Sequence, residues 1–139
     1  MSSVERFARG TNTLSSVPPK KKIVSYQDLL VWQKSMDLVA EVYEIVGLLP
    51  LNEQYGISSQ LRRAAGSVPA NIAEGFGRWH KREFVRFLPV ANGSVKELET
   101  HLLIAVRLGY LKAKNIEAPM QMAKEIGKMI FALRDKLSK

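Results

Sequence analysis

Residues 60–87 read QLRRAAGSVPANIAEGFGRWHKREFVRF, and this stretch decides the fold. With Ile57 just ahead of it, the first part places Leu61, Ala64, Ala65, Val68 and Ile72 at intervals of three and four, the period of one helix face. Gly75 and Gly77 follow, and glycine is the usual residue where a helix stops. The periodicity resumes with Phe84, Phe87 and Leu88. Two helices joined by so short a turn lie side by side and antiparallel. The small residues Ala64, Ala65, Gly66, Ala70 and Ala73 let a neighbouring helix approach closely. Pro69 removes one backbone donor and crowds the preceding turn, so a kink is expected there.

The same stretch concentrates positive charge. Arg62, Arg63, Arg78, Lys81, Arg82 and Arg86 stand against only Glu74 and Glu83. Arg78, Arg82 and Arg86 are four apart and share a face if the second helix reaches back to Arg78. Arginine presents a planar fork of donors that matches phosphate oxygens. Trp79 lies among them, placed to stack on an unpaired base. Arg62, Arg63, Arg78, Trp79, Lys81, Arg82 and Arg86 are therefore the candidate nucleic-acid-binding residues. The competing reading is a solvated basic face with Glu74–Arg78 and Glu83–Arg86 pairs and a buried tryptophan.

Outward from this hairpin, the chain reads as more helix. Ser25-x-x-Asp28 resembles a capping box, so a helix is expected from near Ser25. Leu29, Trp32, Met36, Val39, Tyr43, Val46 and Leu49 form its apolar stripe, and Pro50 closes it. The helix that begins about His80 continues through Ala91, Val95, Leu98, Leu102, Ala105 and Leu108 to a stop at Gly109, with a second kink or loosened turn at Pro89. A last helix from about Asn115 to Leu137 carries Met122, Ile126, Met129, Ile130, Leu133 and Leu137. No strand-like alternation of useful length occurs. Four amphipathic helices with short loops make an all-α, antiparallel up-and-down four-helix bundle over residues 25–139 the expected fold. Residues 1–24, with Pro18-Pro19 and Lys20-Lys21-Lys22 and only isolated apolar residues, read as a disordered basic tail.

Bulk composition sets limits. A chain of 139 residues suggests one domain, and 46% hydrophobic residues suffice for a core. No apolar run reaches the roughly 20 residues of a membrane helix, and the N-terminus lacks the apolar stretch of a secretion signal. With 0 cysteines there is no disulfide or thiolate metal site. A cytoplasmic protein is the simplest expectation. The net charge of +8 is segregated: residues 25–53 carry Lys34 against Asp28, Asp37, Glu41, Glu44 and Glu53, while the rest is basic. Segregation suits a polyanion partner, or subunits that pair opposite faces.

No catalytic set is visible. His80 and His101 lie about 30 Å apart by helical rise, too far to share a metal. No Glu-x-x-His pair of the di-iron bundles occurs, and Gly75-x-Gly77 lacks the third glycine and the strand of a dinucleotide loop. No enzyme activity and no cofactor are expected.

Tyr26-Gln27-Asp28-Leu29, Val31-Trp32-Gln33, Tyr55-Gly56, Gln60-Leu61-Arg62-Arg63-Ala64-Ala65, Ser67-Val68-Pro69-Ala70-Asn71-Ile72-Ala73-Glu74-Gly75, Glu83-Phe84-x-x-Phe87-Leu88, Gly93-Ser94-x-x-Glu97-Leu98-Glu99-Thr100 and Leu108-Gly109-Tyr110-Leu111 follow in order. On these pieces the chain from Tyr26 to Leu111 resembles the proteins encoded within intervening sequences of bacterial 23S ribosomal RNA genes. The resemblance implies a four-helix bundle that assembles as a ring-like homopentamer and has no established enzymatic activity. It also implies a fold shared with the accessory variability determinant of diversity-generating retroelements, which binds nucleic acid and a reverse transcriptase. The expected function is thus a non-enzymatic, oligomeric nucleic-acid-binding protein, with RNA the first choice of ligand. The alternative is a protein-interaction module such as an accessory subunit of a reverse transcriptase.

Overall fold

The computed structural model describes residues 22–139, so the expected tail lies outside the described residues except for Lys22, Ile23 and Val24. The described residues form four helices and no strand: α1 (Leu30–Val46), α2 (Ile57–Gly77), α3 (Lys81–Arg107) and α4 (Glu117–Leu137). Short 3-10 turns at Tyr26–Asp28, Leu51–Glu53 and Ala113–Ile116 precede α1, α2 and α4. Each helix packs on its neighbours in sequence, and α1 also packs on α4, which closes an antiparallel up-and-down bundle. The α2–α3 pair shares the most extensive contact. No described helix is long and apolar enough to cross a membrane.

The start of α1 differs from expectation by one turn. Ser25 and Asp28 do form a capping box: the Gln27 N–H donates to Ser25 Oγ at 3.2 Å and the Ser25 N–H to Asp28 Oδ2 at 2.9 Å. They cap the 3-10 turn, however, and α1 begins after extended Leu29.

The buried stripe of α1 is also one residue away from the expected one. Val31, Ser35, Leu38, Val42 and Ile45 are buried, whereas Met36 and Tyr43 are 44% and 52% exposed; Leu49, just beyond the helix, is buried as expected. Leu29, Trp32, Val39 and Val46 flank the core, half-buried. The apolar residues of α1 fill two adjacent strips, and the inner one contains a serine. Ser35 Oγ donates to Val31 O at 2.7 Å, so its hydroxyl is satisfied within its own helix and can be buried cheaply.

The stripe of α2 is as expected: Ile57, Leu61, Ala64, Ala65, Val68 and Ile72 are all buried. On α3, Phe84, Leu88, Ala91, Val95, Leu98, Leu102 and Ala105 are buried, but Leu108 is exposed. On α4 the innermost residues are Pro119, Ala123, Ile126 and Ile130, with Met122, Met129, Leu133 and Leu137 beside them. Full burial of each leucine or isoleucine stabilises by about 1.5–3 kcal/mol relative to exposure. Helices α2 and α3 run unbroken through Pro69 and Pro89.

The glycines divide into two roles. At the end of α3, Gly109 has φ 81° and its N–H donates to Val106 O at 3.0 Å, while the Tyr110 N–H donates to Ala105 O at 2.9 Å. This is a Schellman stop, which needs a residue without a Cβ penalty. Gly75 does not stop α2. It lies buried inside the helix, where an added Cβ would come within 2.6 Å of Phe87 Cβ. Close approach of α2 and α3 demands glycine there.

Candidate nucleic-acid interface

With Gly75 and Gly77 both helical, the stop of α2 falls on other residues. Arg78 is its last, C-capping residue, and Trp79 follows with φ 68°. Trp79 is the one non-glycine residue with positive φ among the described residues. Its N–H donates to Phe76 O at 3.3 Å, the pattern of a left-handed helix stop. Glycine is the usual occupant of that position, and a bulky residue there stores backbone strain. Trp79 gains no burial in return: it is 91% exposed. His80, in extended conformation, then caps α3, which begins at Lys81 as expected.

The structure brings five of the seven candidate residues together at this hairpin tip. Arg78 donates to Glu74 Oε1 at 3.0 Å and lies 5.2 Å from the centroid of the Phe87 ring. Arg86 pairs with Glu83 at 3.1 Å, so both acid–arginine pairs of the solvated-face reading form. The buried tryptophan of that reading does not. Among the described residues, Lys81 Nζ reaches only Lys139 O, at 3.4 Å. Arg82 is exposed and makes no ion pair among the described residues. Because Arg78 ends α2 rather than starting α3, it does not stack above Arg82 and Arg86 on one helix.

Arg62 and Arg63 are held elsewhere. They lie near the start of α2, about 22 Å along the axis from Arg78. Arg62 Nη2 donates to Gln54 O at 3.2 Å, bracing the loop between α1 and α2. Arg63 donates to Gln60 Oε1 and lies 3.7 Å from Glu97 of α3. The charge cluster that is continuous in sequence is therefore split between the two ends of the hairpin.

Other polar groups between the helices have structural work. Ser67 and Ser94 hydroxyls bond at 2.8 Å across α2 and α3, and Asn71 Nδ2 donates to Ser67 O at 2.8 Å. At the end of the bundle remote from the hairpin tip, Tyr110 OH donates to Glu53 Oε2 at 2.8 Å, and Glu53 Oε1 accepts from the Ile57 N–H at 3.3 Å. The hydrogen bond to Glu53 raises the Tyr110 phenol above its ordinary 10.0. Across α1 and α4, Lys34 donates to Glu125 at 2.8 Å and lowers that carboxyl below its ordinary 4.5. No group of three or more described acidic, histidine or cysteine side chains is arranged to hold a metal ion.

The crystal structure of a protein with unknown function from the S23 ribosomal protein family of Bacteroides thetaiotaomicron superposes on this bundle with a TM-score of 0.68 at 25% identity. The match covers 75% of this chain and 97% of that one. No curated protein matches the chain. The family model of the 23S rRNA-intervening sequence protein matches residues 27–132, which spans all of α1, α2 and α3 and most of α4. The chain thus belongs to the 23S rRNA-intervening sequence protein family.

Proposed function

We propose that this protein is a non-enzymatic nucleic-acid-binding protein that grips the phosphate backbone, RNA in the first instance, with the α2–α3 hairpin tip. The observation that carries this reading is Trp79: an exposed indole on a strained left-handed backbone, with Arg78, Lys81 and Arg82 beside it in the chain and Arg86 on the next turn of α3. Strain of this kind persists where the surrounding structure enforces it, and it clusters at ligand sites. No acidic side chain among the described residues pairs with Lys81 or Arg82, and Lys81 reaches only Lys139 O, so phosphate contact would displace no aspartate or glutamate. Arg62 and Arg63, on the same hairpin but far from the tip, would meet only a longer strand.

Assembly belongs to the same proposal. A homo-oligomer, with the pentamer as its expected form, repeats the modest tip and raises avidity without new contacts. Met36 and Tyr43 on α1 and Phe131 on α4 are exposed apolar groups of the kind that fill subunit contacts. Light scattering should give a mass well above 15.6 kDa, and a monomer at tens of micromolar would remove the multivalent part.

Salt titration tests the binding. Log affinity for a single strand should fall linearly with log salt, by about 0.7 per phosphate contact. Lys81→Glu with Arg82→Glu should weaken binding strongly and flatten that slope. Lys124→Glu with Lys128→Glu, an equal charge change on α4, should do much less. Equal losses from the two pairs would mean that net charge alone drives binding and that the tip has no special part.

A further inference from the structure

A pocket of about 520 Å³ opens beside the exposed indole. Two separate parts of the chain build it: Val24, Ser25 and Tyr26 ahead of α1, and the α2–α3 tip with Phe76, Trp79 and Phe84. Its size lies within the range of about 300–1,000 Å³ common to small-molecule sites. Its aromatic walls are fixed by their own packing. Phe76 and Phe84 meet edge to face at 5.7 Å, and Tyr26 meets Trp32 in the same way at 5.2 Å.

The rim is cationic. Lys81 lines the pocket, and Arg78 and Arg82 adjoin it in sequence. Of the nearby acids, Glu74 is turned to Arg78 and Glu83 to Arg86, while the Asp28 carboxylate stays at the opposite wall, where it accepts from the N–H groups of Val24 and Ser25 at 3.0 and 2.9 Å. An apolar aromatic recess with a cationic rim matches a ligand that is flat and apolar at one end and anionic at the other. The geometry points to a receptor for one unpaired nucleobase of a bound strand, with Trp79 stacked at the mouth and the flanking phosphates on Lys81 and Arg82. This rests on the nucleic-acid reading above and adds to it a base-dependent component that phosphate contacts cannot supply.

Gly77 offers a test that leaves the fold alone. It lines the pocket, its backbone is helical, and a Cβ added there meets nothing within 4 Å. Gly77→Leu should therefore fold and fill the recess, while Trp79→Ala removes the stacking surface. Each variant of the full chain is titrated with a short oligouridylate and with the same strand stripped of its bases. On the base-bearing strand each should lose between about fivefold and about 150-fold in affinity, the range for stacking one base. On the abasic strand each should stay within about twofold of the parent. Equal losses on both strands, or no loss on either, would overturn the pocket while leaving backbone binding standing. Failure of the parent protein to bind either strand would overturn both readings. A fall in oligomer mass with either variant would assign the recess to a contact between subunits and overturn it as well. Should Gly77→Leu not fold, Trp79→Ala, at an almost fully exposed position, carries the comparison alone.

Discussion

Trp79 makes the backbone at the hairpin tip testable by stability alone. A residue with a Cβ in the left-handed region costs about 1–2 kcal/mol relative to the right-handed form. Glycine escapes that cost but orders more backbone freedom, at about 0.5–1 kcal/mol relative to alanine. Both Trp79→Ala and Trp79→Gly delete the same exposed indole, so comparing them cancels its small burial and isolates the backbone. The glycine variant should then be the more stable of the two by about 0.5–1 kcal/mol, or about 2–4 °C in melting temperature for a chain of this size. Trp79→Val should be the least stable, since a β-branched side chain tolerates positive φ worst. Urea unfolding followed by circular dichroism, at one protein concentration to hold assembly constant, measures the series. If glycine gains nothing over alanine, the tip does not hold the left-handed turn, and the strain offered as the mark of a binding site is absent.

Other substitutions probe the packing and the ion pairs. Gly75→Ala places a methyl 2.6 Å from Phe87 Cβ, which no rotamer change can relieve, so α2 and α3 must part at a cost of about 1–3 kcal/mol by denaturant unfolding. Glu125 has a folded-state pKa below the ordinary 4.5, chiefly through its hydrogen bond from Lys34. Its pairing therefore stabilises above that value and is lost as pH falls through the lower folded one; Lys34→Met should flatten stability over that acid window by only about 0.2–1 kcal/mol, because the pair is part-exposed. Tyr110 should titrate above 10.0 by ultraviolet absorption, and Glu53→Gln should bring it back towards that value; no downward shift would mean that the bond between the two loops does not form in solution.

Local rules were enough for much of the fold. The period of three and four located four helices, and the Asn115 and Gly109 signals fell at real turns; of the small residues of α2, Ala64 and Ala65 are buried as expected, but Ala70 is exposed and a Cβ on Gly66 would meet nothing within 4 Å. The stripe of α2 was legible because its alanines leave one continuous apolar strip. That of α1 was not, because apolar residues fill two adjacent strips and the period alone ranks them equally. Contact with α2 and α4 chose the strip containing Ser35, whose hydroxyl bonds back to Val31 O. The glycines show the same division. Gly75 and Gly77 looked like a helix stop, since sequence carries no sign of how closely α3 passes. Only the packed pair shows that Gly75 makes room for Phe87 and that the reversal falls to Trp79, a residue no turn preference would select. For the candidate site, the sequence supplied residue types that suit a phosphate chain, and they are contiguous along it. An antiparallel hairpin separates what the chain lists together, because each helical residue adds about 1.5 Å of rise. It therefore carries Arg62 and Arg63 to the far end, against Gln54 and Glu97, and leaves Arg78, Trp79, Lys81, Arg82 and Arg86 at the tip.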